Sequence, residues 1–342
     1  MAFAFPSVGV NTGALRPGVL QRISLYRGGS TSTAALDIAP IVKVATRQGA
    51  YHWFAENDAL VTDGAQGIIP VNYDTPAVPG GLRISSSNYS SSLFRWGFNI
   101  FTLKQIEEFA ARAEDITAVM ANRLSHQGVQ HHAAVVGAAL NATGNYGSTL
   151  AVTGGGTAAA NLQQTFNSLL LASAADGADI TEGRWVAVCN LNTANVLLQK
   201  NEVQQMGYAL AAATVSSALA QVRTGAADFG QLASFFATKL ITPVEFVCLP
   251  HFLPTSASQT GTPVISDGIV SLFKVAETYG ASGFLQTFTP DPNAALGQII
   301  SYNVDNPRGI AMYVESDYGI IPLGGTPGSA ANKWARLVTG LS

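Results

Sequence analysis

The stretch TLKQIEEFAARAEDITAVMANRL, residues 102–124, decides the fold of this chain. Thr102 and Gln105 predict a capping box, in which each side chain bonds a free backbone N–H group at the start of a helix. Apolar residues follow at spacings of three and four, as on one face of a helix: Ile106, Phe109, Ala113, Ile116, Met120 and Leu124. The pattern predicts a helix over 103–127, roughly 37 Å long. Gly128 leaves two alternatives, an end of the helix or its continuation to Leu140.

Two stretches that favour β-structure precede this helix. They span residues 51–61 and 82–101 and surround a loop rich in proline and glycine, so they predict a projecting β-hairpin. The second stretch is rich in aromatic residues, and an isolated two-stranded ribbon is only marginally stable in water. We therefore expect five aromatic side chains to contact a neighbouring subunit: Phe94, Trp96, Phe98, Tyr51 and Trp53.

The remainder of the chain alternates between helix and strand patterns. A helix is predicted over 158–174, with Leu162, Phe166, Leu169 and Leu170 on one face, and another over 192–205, capped by Asn192. Strands are predicted at 185–190, 244–249, 268–275, 297–304 and 308–315. The predicted fold class is α+β.

The chain carries too little charge to cover the surface of a monomer. Its 342 residues include 18 Lys+Arg and 21 Asp+Glu, so 11% are charged while 47% are hydrophobic. An average soluble domain is about one quarter charged, and a compact monomer of this mass exposes roughly 13,000 Å². We therefore expect much of the surface to be buried against other subunits, as in obligate interfaces.

Charge and hydropathy patterns exclude several classes of function. The net charge is −3, and the Lys and Arg residues are scattered singly, which argues against sequence-specific nucleic-acid binding. The most apolar stretch, 233–253, is interrupted by two charged residues and two prolines, so no membrane span is predicted. The first residues, MAFAFPSVGVNTGALRPG, lack a basic region and contain Pro6, so no secretory signal is predicted.

A search for catalytic or ligand-binding motifs yields none that predicts an enzyme, a cofactor or a metal site. His126, His131 and His132 lack the spacing of a zinc-binding helix. The glycine-rich run GGTPGSAANK lacks the Gly-Lys-Ser/Thr of a phosphate loop. Cys189 and Cys248 lie in apolar runs typical of buried strands, so we expect two reduced core thiols.

The order of these segments resembles a known family. A flexible N-terminal arm and an aromatic hairpin precede the long helix, and the segment VVGAALNATGNYGSTLAVTGGGT follows it. The later run RWVAVCNLNTANVLLQK is similar to the segment that enters that family's axial domain. From about residue 51 onward, the chain resembles the major capsid proteins of tailed bacteriophages, which have the Hong Kong 97-like fold.

The resemblance implies four parts. They are an N-terminal arm at 1–48, an extended loop at 49–101, a peripheral domain at 102–175 plus 313–342 with the spine helix, and an axial domain at 176–312. It also implies a shell protein that forms hexamers and pentamers of an icosahedral head around double-stranded DNA. Residues 1–50 are neither strongly charged nor helical in pattern, so a separate scaffolding protein is expected.

Further expectations follow from the same resemblance, and three alternatives to a phage capsid stay open. Expected partners are a portal protein and decoration proteins, with assembly in the host cytoplasm and a final location in the virion. An encapsulin-like nanocompartment shell is the alternative within the structural class. An oligomeric α/β enzyme, with 176–312 as its catalytic domain, is the alternative from another class, and a surface adhesin is a third.

Overall fold

The structure is a computed structural model that describes most of the chain. It describes residues 21–24, 34–54, 84–111, 116–151, 161–205, 229–250, 252–254, 261–278, 282–291, 297–305, 308–323 and 332–341. The helices are α1 (Ala34–Ile38), α2 (Leu103–Ala111), α3 (Ile116–Asn141), α4 (Leu162–Ala175), α5 (Leu191–Leu198) and α6 (Phe229–Thr238), with a 3₁₀ turn at Thr143–Asn145. Within the described residues, no helix is long and apolar enough to cross a membrane.

The strands are numbered in chain order. They are β1 (Gln21–Ser24), β2 (Ile41–Lys43), β3 (Gln48–Phe54), β4 (Ile84–Ser90), β5 (Ser92–Thr102), β6 (Ser148–Ala151), β7 (Trp185–Asn190), β8 (Val244–Leu249), β9 (Phe252–Pro254), β10 (Gly261–Pro263), β11 (Val270–Lys274), β12 (Leu285–Thr289), β13 (Gln298–Asp305), β14 (Arg308–Pro322) and β15 (Ala335–Thr339). β9 and β10 form a short antiparallel pair.

The capping box predicted before the long helix is confirmed. The Thr102 backbone N–H donates to Gln105 Oε1 at 3.0 Å, and the Gln105 N–H donates to Thr102 Oγ1 at 3.4 Å. Helix α3 continues through Gly128 to Asn141, which decides between the two alternatives for that glycine. Of the predicted apolar stripe, Ile106 is buried, and the other five side chains lie outside the described part of the structure.

One sheet has five strands in the order β6-β15-β11-β7-β8. The β6–β15 and β7–β8 pairs are parallel, and the other two pairs are antiparallel. Every residue of β7 and β11 is buried, as expected for strands covered on both faces. In β7, Trp185, Ala187 and Cys189 join one core, and Val186 and Val188 join the other.

Helices cover both faces of this five-stranded sheet. One face packs against apolar residues of α4, α5 and α6, namely Leu162, Phe166, Leu170, Leu197, Leu232, Phe235 and Phe236. The opposite face packs against α1 and the end of α3 through Ala35, Ile38, Ala133, Val136 and Leu140. A Cβ atom at Gly137 would lie 2.3 Å from the carbonyl oxygen of Val264, so only glycine allows α3 to approach this closely.

The second sheet has six strands built around β14. Its order is β1-β13-β14-β12-β2, and β5 also pairs with β14. The first half of β14 lies between β13 and β5, and its last four residues pair with β12. α3 packs on β14. One helix therefore contacts both sheets.

The hairpin is confirmed in part. β3 and β4 pair antiparallel from Gln48↔Ser90 to Phe54↔Ile84, and the predicted loop at 62–81 lies outside the described residues. The prediction that 82–101 forms one hairpin strand is wrong, because the chain leaves the hairpin at Ser91 and β5 pairs with β14 instead. The alternating aromatic pattern of β5 fits any sheet with one covered face, so it did not identify the partner strand.

The other predicted elements agree with the structure apart from one helix and its cap. The helix predicted over 192–205 is interrupted, because α5 ends at Leu198 and helical structure resumes only at 201–205. β7 and β8 have the predicted bounds, and α4 begins after Asn161, whose Oδ1 accepts from the Gln164 N–H at 2.8 Å. The predicted cap at Asn192 is wrong. Asn190 caps α5, since its Oδ1 accepts from the Thr193 N–H at 2.7 Å, whereas Asn192 donates to Asp267.

Strand pairing crosses the domain boundaries that the sequence predicts. β6 and β15 come from the segments assigned to the peripheral domain, but they lie in one sheet with β7, β8 and β11 of the predicted axial domain. β13 comes from the predicted axial segment and pairs with β14. The division into four parts stays a prediction.

Candidate assembly surface

A β-bulge divides the aromatic residues of β5 between two faces of the six-stranded sheet. Trp96 pairs with Val314 and Asn99 with Met312, so Gly97 and Phe98 together oppose a single residue of β14. Gly97 has a φ of 67°, the left-handed conformation that such a bulge requires. In a regular strand, side chains alternate between faces, so Phe98 would share the face of Phe94 and Trp96. The extra residue in the bulge places Phe98 on the opposite face instead.

The inner face of β5 packs against α3. The Phe94 ring lies 4.6 Å from His131 and 5.2 Å from Tyr318, and Trp96 stacks on His131 at 5.9 Å. His131 Nδ1 and the Tyr318 hydroxyl are hydrogen-bonded at 2.6 Å. Burial lowers the pKa of His131 and raises the pKa of Tyr318. Phe94 and Trp96 are thus half-buried in contacts within their own chain.

The opposite side of β5, with the adjoining residues of β13 and β14, is here called the outer face. Its exposed or half-buried members include Leu93, Arg95, Phe98 and Ile100 of β5, Tyr313 and Glu315 of β14, and Tyr302 of β13. Ile300 and Ala311 lie on the same face by register but are buried. Phe98 is 57% exposed, Leu93 38% and Ile100 37%. The Tyr302 and Tyr313 rings lie 6.3 Å apart. This is an apolar, partly aromatic strip open to solvent.

Charge on the outer face is paired within the chain. Arg95 Nε donates to Glu315 Oε2 at 2.7 Å, and this hydrogen bond raises the pKa of Arg95. The guanidinium carbon of Arg95 also lies 5.7 Å from the centre of the Tyr313 ring. The strip therefore presents apolar surface and one neutralised ion pair.

The base of the hairpin is fixed to this chain. Tyr51 is fully buried, with its ring 5.2 Å from Phe288, and Tyr89 stacks on Phe288 at 5.1 Å. Arg47 Nε donates to Asp317 Oδ2 at 2.6 Å. Tyr51 thus lies in the core of its own subunit, which leaves no side-chain surface for a neighbour.

The five residues predicted to contact a neighbour therefore separate into different environments. Phe94 and Trp96 lie together on the inner face, Phe98 lies on the outer face, and Tyr51 lies in the core. The Trp53 backbone pairs with Ser85, and its side chain lies outside the described residues. Sequence reasoning missed Ile100, Tyr302 and Tyr313 as members of this surface. Their alternation along β5, β13 and β14 indicates which residues share a face, but the sequence does not show that these strands are neighbours.

The other groups considered from sequence are engaged in structural contacts where they are described. His132 is buried, and its Nε2 lies 3.0 Å from Thr287 Oγ1. The His126 side chain and residues 324–331 of the glycine-rich run GGTPGSAANK lie outside the described residues. Across the described segments, no group of three or more His, Cys, Asp or Glu side chains is placed to hold a metal ion.

Comparison with solved structures shows the same architecture over almost the whole chain. A phage-related protein from Bordetella bronchiseptica RB50 superposes with a TM-score of 0.60 at 11% identity, covering 92% of this chain and 94% of that chain. The head protein of the Helicobacter pylori bacteriophage KHP40 gives 0.55 at 13% identity, covering 96% and 97%. This chain has the tailed-phage capsid fold.

The structure also resembles the capsid of a gene transfer particle, although comparison of the sequence alone finds no relative. The capsid of a native GTA particle, solved with C5 symmetry, gives a TM-score of 0.52 at 14% identity and covers 98% of this chain and 99% of that chain. No protein-family model matches the sequence, and no curated protein matches it. The fold class predicted from the order of elements is confirmed.

Proposed function

We propose that this chain is the major capsid protein of a tailed bacteriophage. It assembles into hexamers and pentamers of an icosahedral head that encloses double-stranded DNA, and its final location is the virion. The observation that carries this proposal is the match to capsid chains over nearly the full length of both partners, 96% and 97% for the KHP40 head protein. A shared domain inside an unrelated protein would not match end to end.

Physical features of the chain support assembly. An 11% charged composition leaves large areas without ionic groups, and exposed apolar strips mark protein interaction sites. The outer face of β5 is such a strip. We place a subunit contact there, centred on Phe98, because central aromatic side chains supply a large share of binding energy in interfaces.

The remaining partners follow from a shell of this kind. The shell lies next to the enclosed DNA and does not recognise its sequence, in keeping with a net charge of −3. A separate scaffolding protein guides assembly in the host cytoplasm, a portal protein occupies one vertex, and decoration proteins bind the outside. The protein has no catalytic role, and it uses no cofactor.

The first experiment is electron microscopy of the purified protein, with and without a candidate scaffolding partner, together with light scattering for mass. Closed shells tens of nanometres across, or rings of five and six subunits, are expected. A monodisperse monomer or dimer in both preparations would overturn the proposal.

The Phe98→Ser variant tests the proposed contact on the outer face. We expect it to fold with unchanged stability and to fail to form shells, because a serine removes the exposed ring. Phe98→Leu is the control, since it keeps an apolar side chain at the same position. Normal assembly of Phe98→Ser would place the contact elsewhere.

A further inference from the structure

Cys189 and Cys248 occupy directly paired positions on neighbouring parallel strands. The register of β7 and β8 runs from Trp185↔Val244 to Asn190↔Leu249 and includes Cys189↔Cys248. Both cysteines lie on the face that α5 and α6 cover, because Cys189 belongs to that core and Cys248 packs against it. The two thiols therefore project in the same direction from adjacent backbones.

Their backbone separation permits a covalent link. Neighbouring strands lie about 4.7–4.9 Å apart, and disulfides join Cα atoms that are roughly 4.4–6.8 Å apart. Both cysteines are free thiols in the structure. The link would bridge two strands that already pair, so it would not require a change of register.

The two thiols differ in access. Among the described strands, β8 is an edge of the five-stranded sheet, and β7 lies inside it. Cys248 is half-buried, whereas Cys189 is fully buried. A reagent in solution reaches Cys248 first, and Cys189 is the thiol placed to react next.

We propose that Cys189 and Cys248 form an intrachain disulfide when the folded protein meets a disulfide oxidant such as oxidised glutathione. The Cys248 thiolate attacks one glutathione sulfur, forms a mixed disulfide and releases one glutathione thiolate. The Cys189 thiolate then attacks the Cys248 sulfur and expels the second. The cysteine pair loses two electrons and two protons, and one oxidised glutathione becomes two reduced glutathiones.

Burial makes this reaction slow and dependent on pH. It raises the pKa of Cys248 to about 11 and raises the pKa of Cys189 as well. The attacking species is the thiolate. Far below the pKa the thiolate fraction grows about tenfold for each pH unit, so we expect oxidation to be roughly tenfold faster at pH 9 than at pH 8.

The test is mass spectrometry of the folded native chain after incubation with oxidised glutathione. The expected product has lost two hydrogens and yields a peptide pair joined through Cys189 and Cys248. Its unfolding midpoint in urea should be higher than that of the same sample after reduction, because the link closes the segment between the two strands. Three results would overturn the proposal: two thiols that stay free while the urea-unfolded chain oxidises, a stable glutathione adduct on Cys248, or links between chains.

Two alanine variants test the order of the steps. Cys189→Ala should stop at the glutathione adduct on Cys248, whereas Cys248→Ala should remain unreacted because Cys189 is shielded. The circular dichroism of both variants is the control for folding. Because the decisive measurement uses the native chain and a chemical product, it can fail or succeed independently of any result on shell formation.

Discussion

The two sheets of this subunit differ in how much of their surface the chain covers by itself. In the five-stranded sheet, β7 and β11 are buried at every residue. In the six-stranded sheet, β5 is covered on its inner face and exposes Leu93, Phe98 and Ile100 on its outer face. Complete burial of a large apolar side chain contributes about 1.5–3 kcal/mol. Strands β7 and β11 therefore stabilise the single subunit, as does β12 of the second sheet with all five residues buried, whereas β5 leaves a comparable contribution available to a neighbour.

The ion pairs repeat this contrast. Arg336 in β15 is fully buried, pairs with Asp176 and donates to the carbonyl oxygens of Asn332 and Ala335. Burial lowers the pKa of Arg336. Arg95 on the outer face is largely exposed, and its partner is Glu315. The buried guanidinium of Arg336 depends on its anion, whereas solvent can hydrate the exposed guanidinium of Arg95 when Glu315 loses its charge.

The largest expected loss of stability comes from the five-stranded sheet. Phe273 of β11 is fully buried, with its ring 5.2 Å from Phe284. Phe273→Ala should lower the free energy of unfolding by about 3–5 kcal/mol, since it removes a buried ring and leaves a cavity. Urea denaturation followed by circular dichroism measures the change. A loss smaller than that caused by Phe94→Ser in β5 would contradict the ranking of the two strands.

The second largest effect should follow removal of one charge from the buried ion pair. Asp176→Asn leaves the Arg336 guanidinium buried without its anion, and we expect a loss of about 2 kcal/mol in the free energy of unfolding, reduced because Asp176 is half-exposed. Glu315→Gln is the matched control on the outer face and should cause no measurable loss. Equal losses in the two variants would remove the distinction between the pairs.

A third comparison uses the two faces of β5. Phe94→Ser should destabilise the monomer by about 1–2 kcal/mol, because its ring packs on His131 and Tyr318 but is only half-buried. Phe98→Ser should stay within about 0.5 kcal/mol of the native protein. Thermal unfolding of both monomers provides the measurement. A larger loss from Phe98→Ser would mean that the bulge does not separate the two faces in solution.

The smallest expected effect is a dependence of stability on pH. Burial holds the pKa of His131 below the ordinary value of about 6.5 that it has in the unfolded chain. The unfolded chain then binds more protons in this range, so the free energy of unfolding should fall as the pH falls below about 6.5. His131→Gln should reduce that slope, as measured by urea unfolding at pH 5, 6 and 8. An unchanged slope would assign the dependence to other groups.

Sequence reasoning succeeded where the controlling interactions are local. The capping box joins Thr102 and Gln105, which are three residues apart. The apolar run from Trp185 to Asn190 predicted a buried strand, and every residue of that strand is buried. It failed where the partner is distant. β5 pairs with residues more than 200 positions later in the chain, and alternation specifies only which residues share a face.

The assembly surface shows the same limit more sharply. Gly97 is one of 34 glycines in the chain, and nothing in its neighbours identifies a left-handed bulge. That one residue determines whether Phe98 joins Phe94 in the subunit or faces solvent. The sequence does not distinguish an exposed aromatic residue from a buried one. Assigning the aromatic residues of β5 to its two faces therefore required the register with β14.

The place of β15 in the five-stranded sheet has a consequence for protein synthesis. β15 is the last of the five strands along the chain, yet it lies between β6 and β11. Translation at about 5–20 residues per second takes roughly 10–40 s to cover the interval from β6 to β15. During that time β6 has no strand to pair with in this sheet. A nascent chain on the ribosome therefore carries an unfinished sheet until β15 emerges, which delays completion of the sheet until residue 339 has been synthesised.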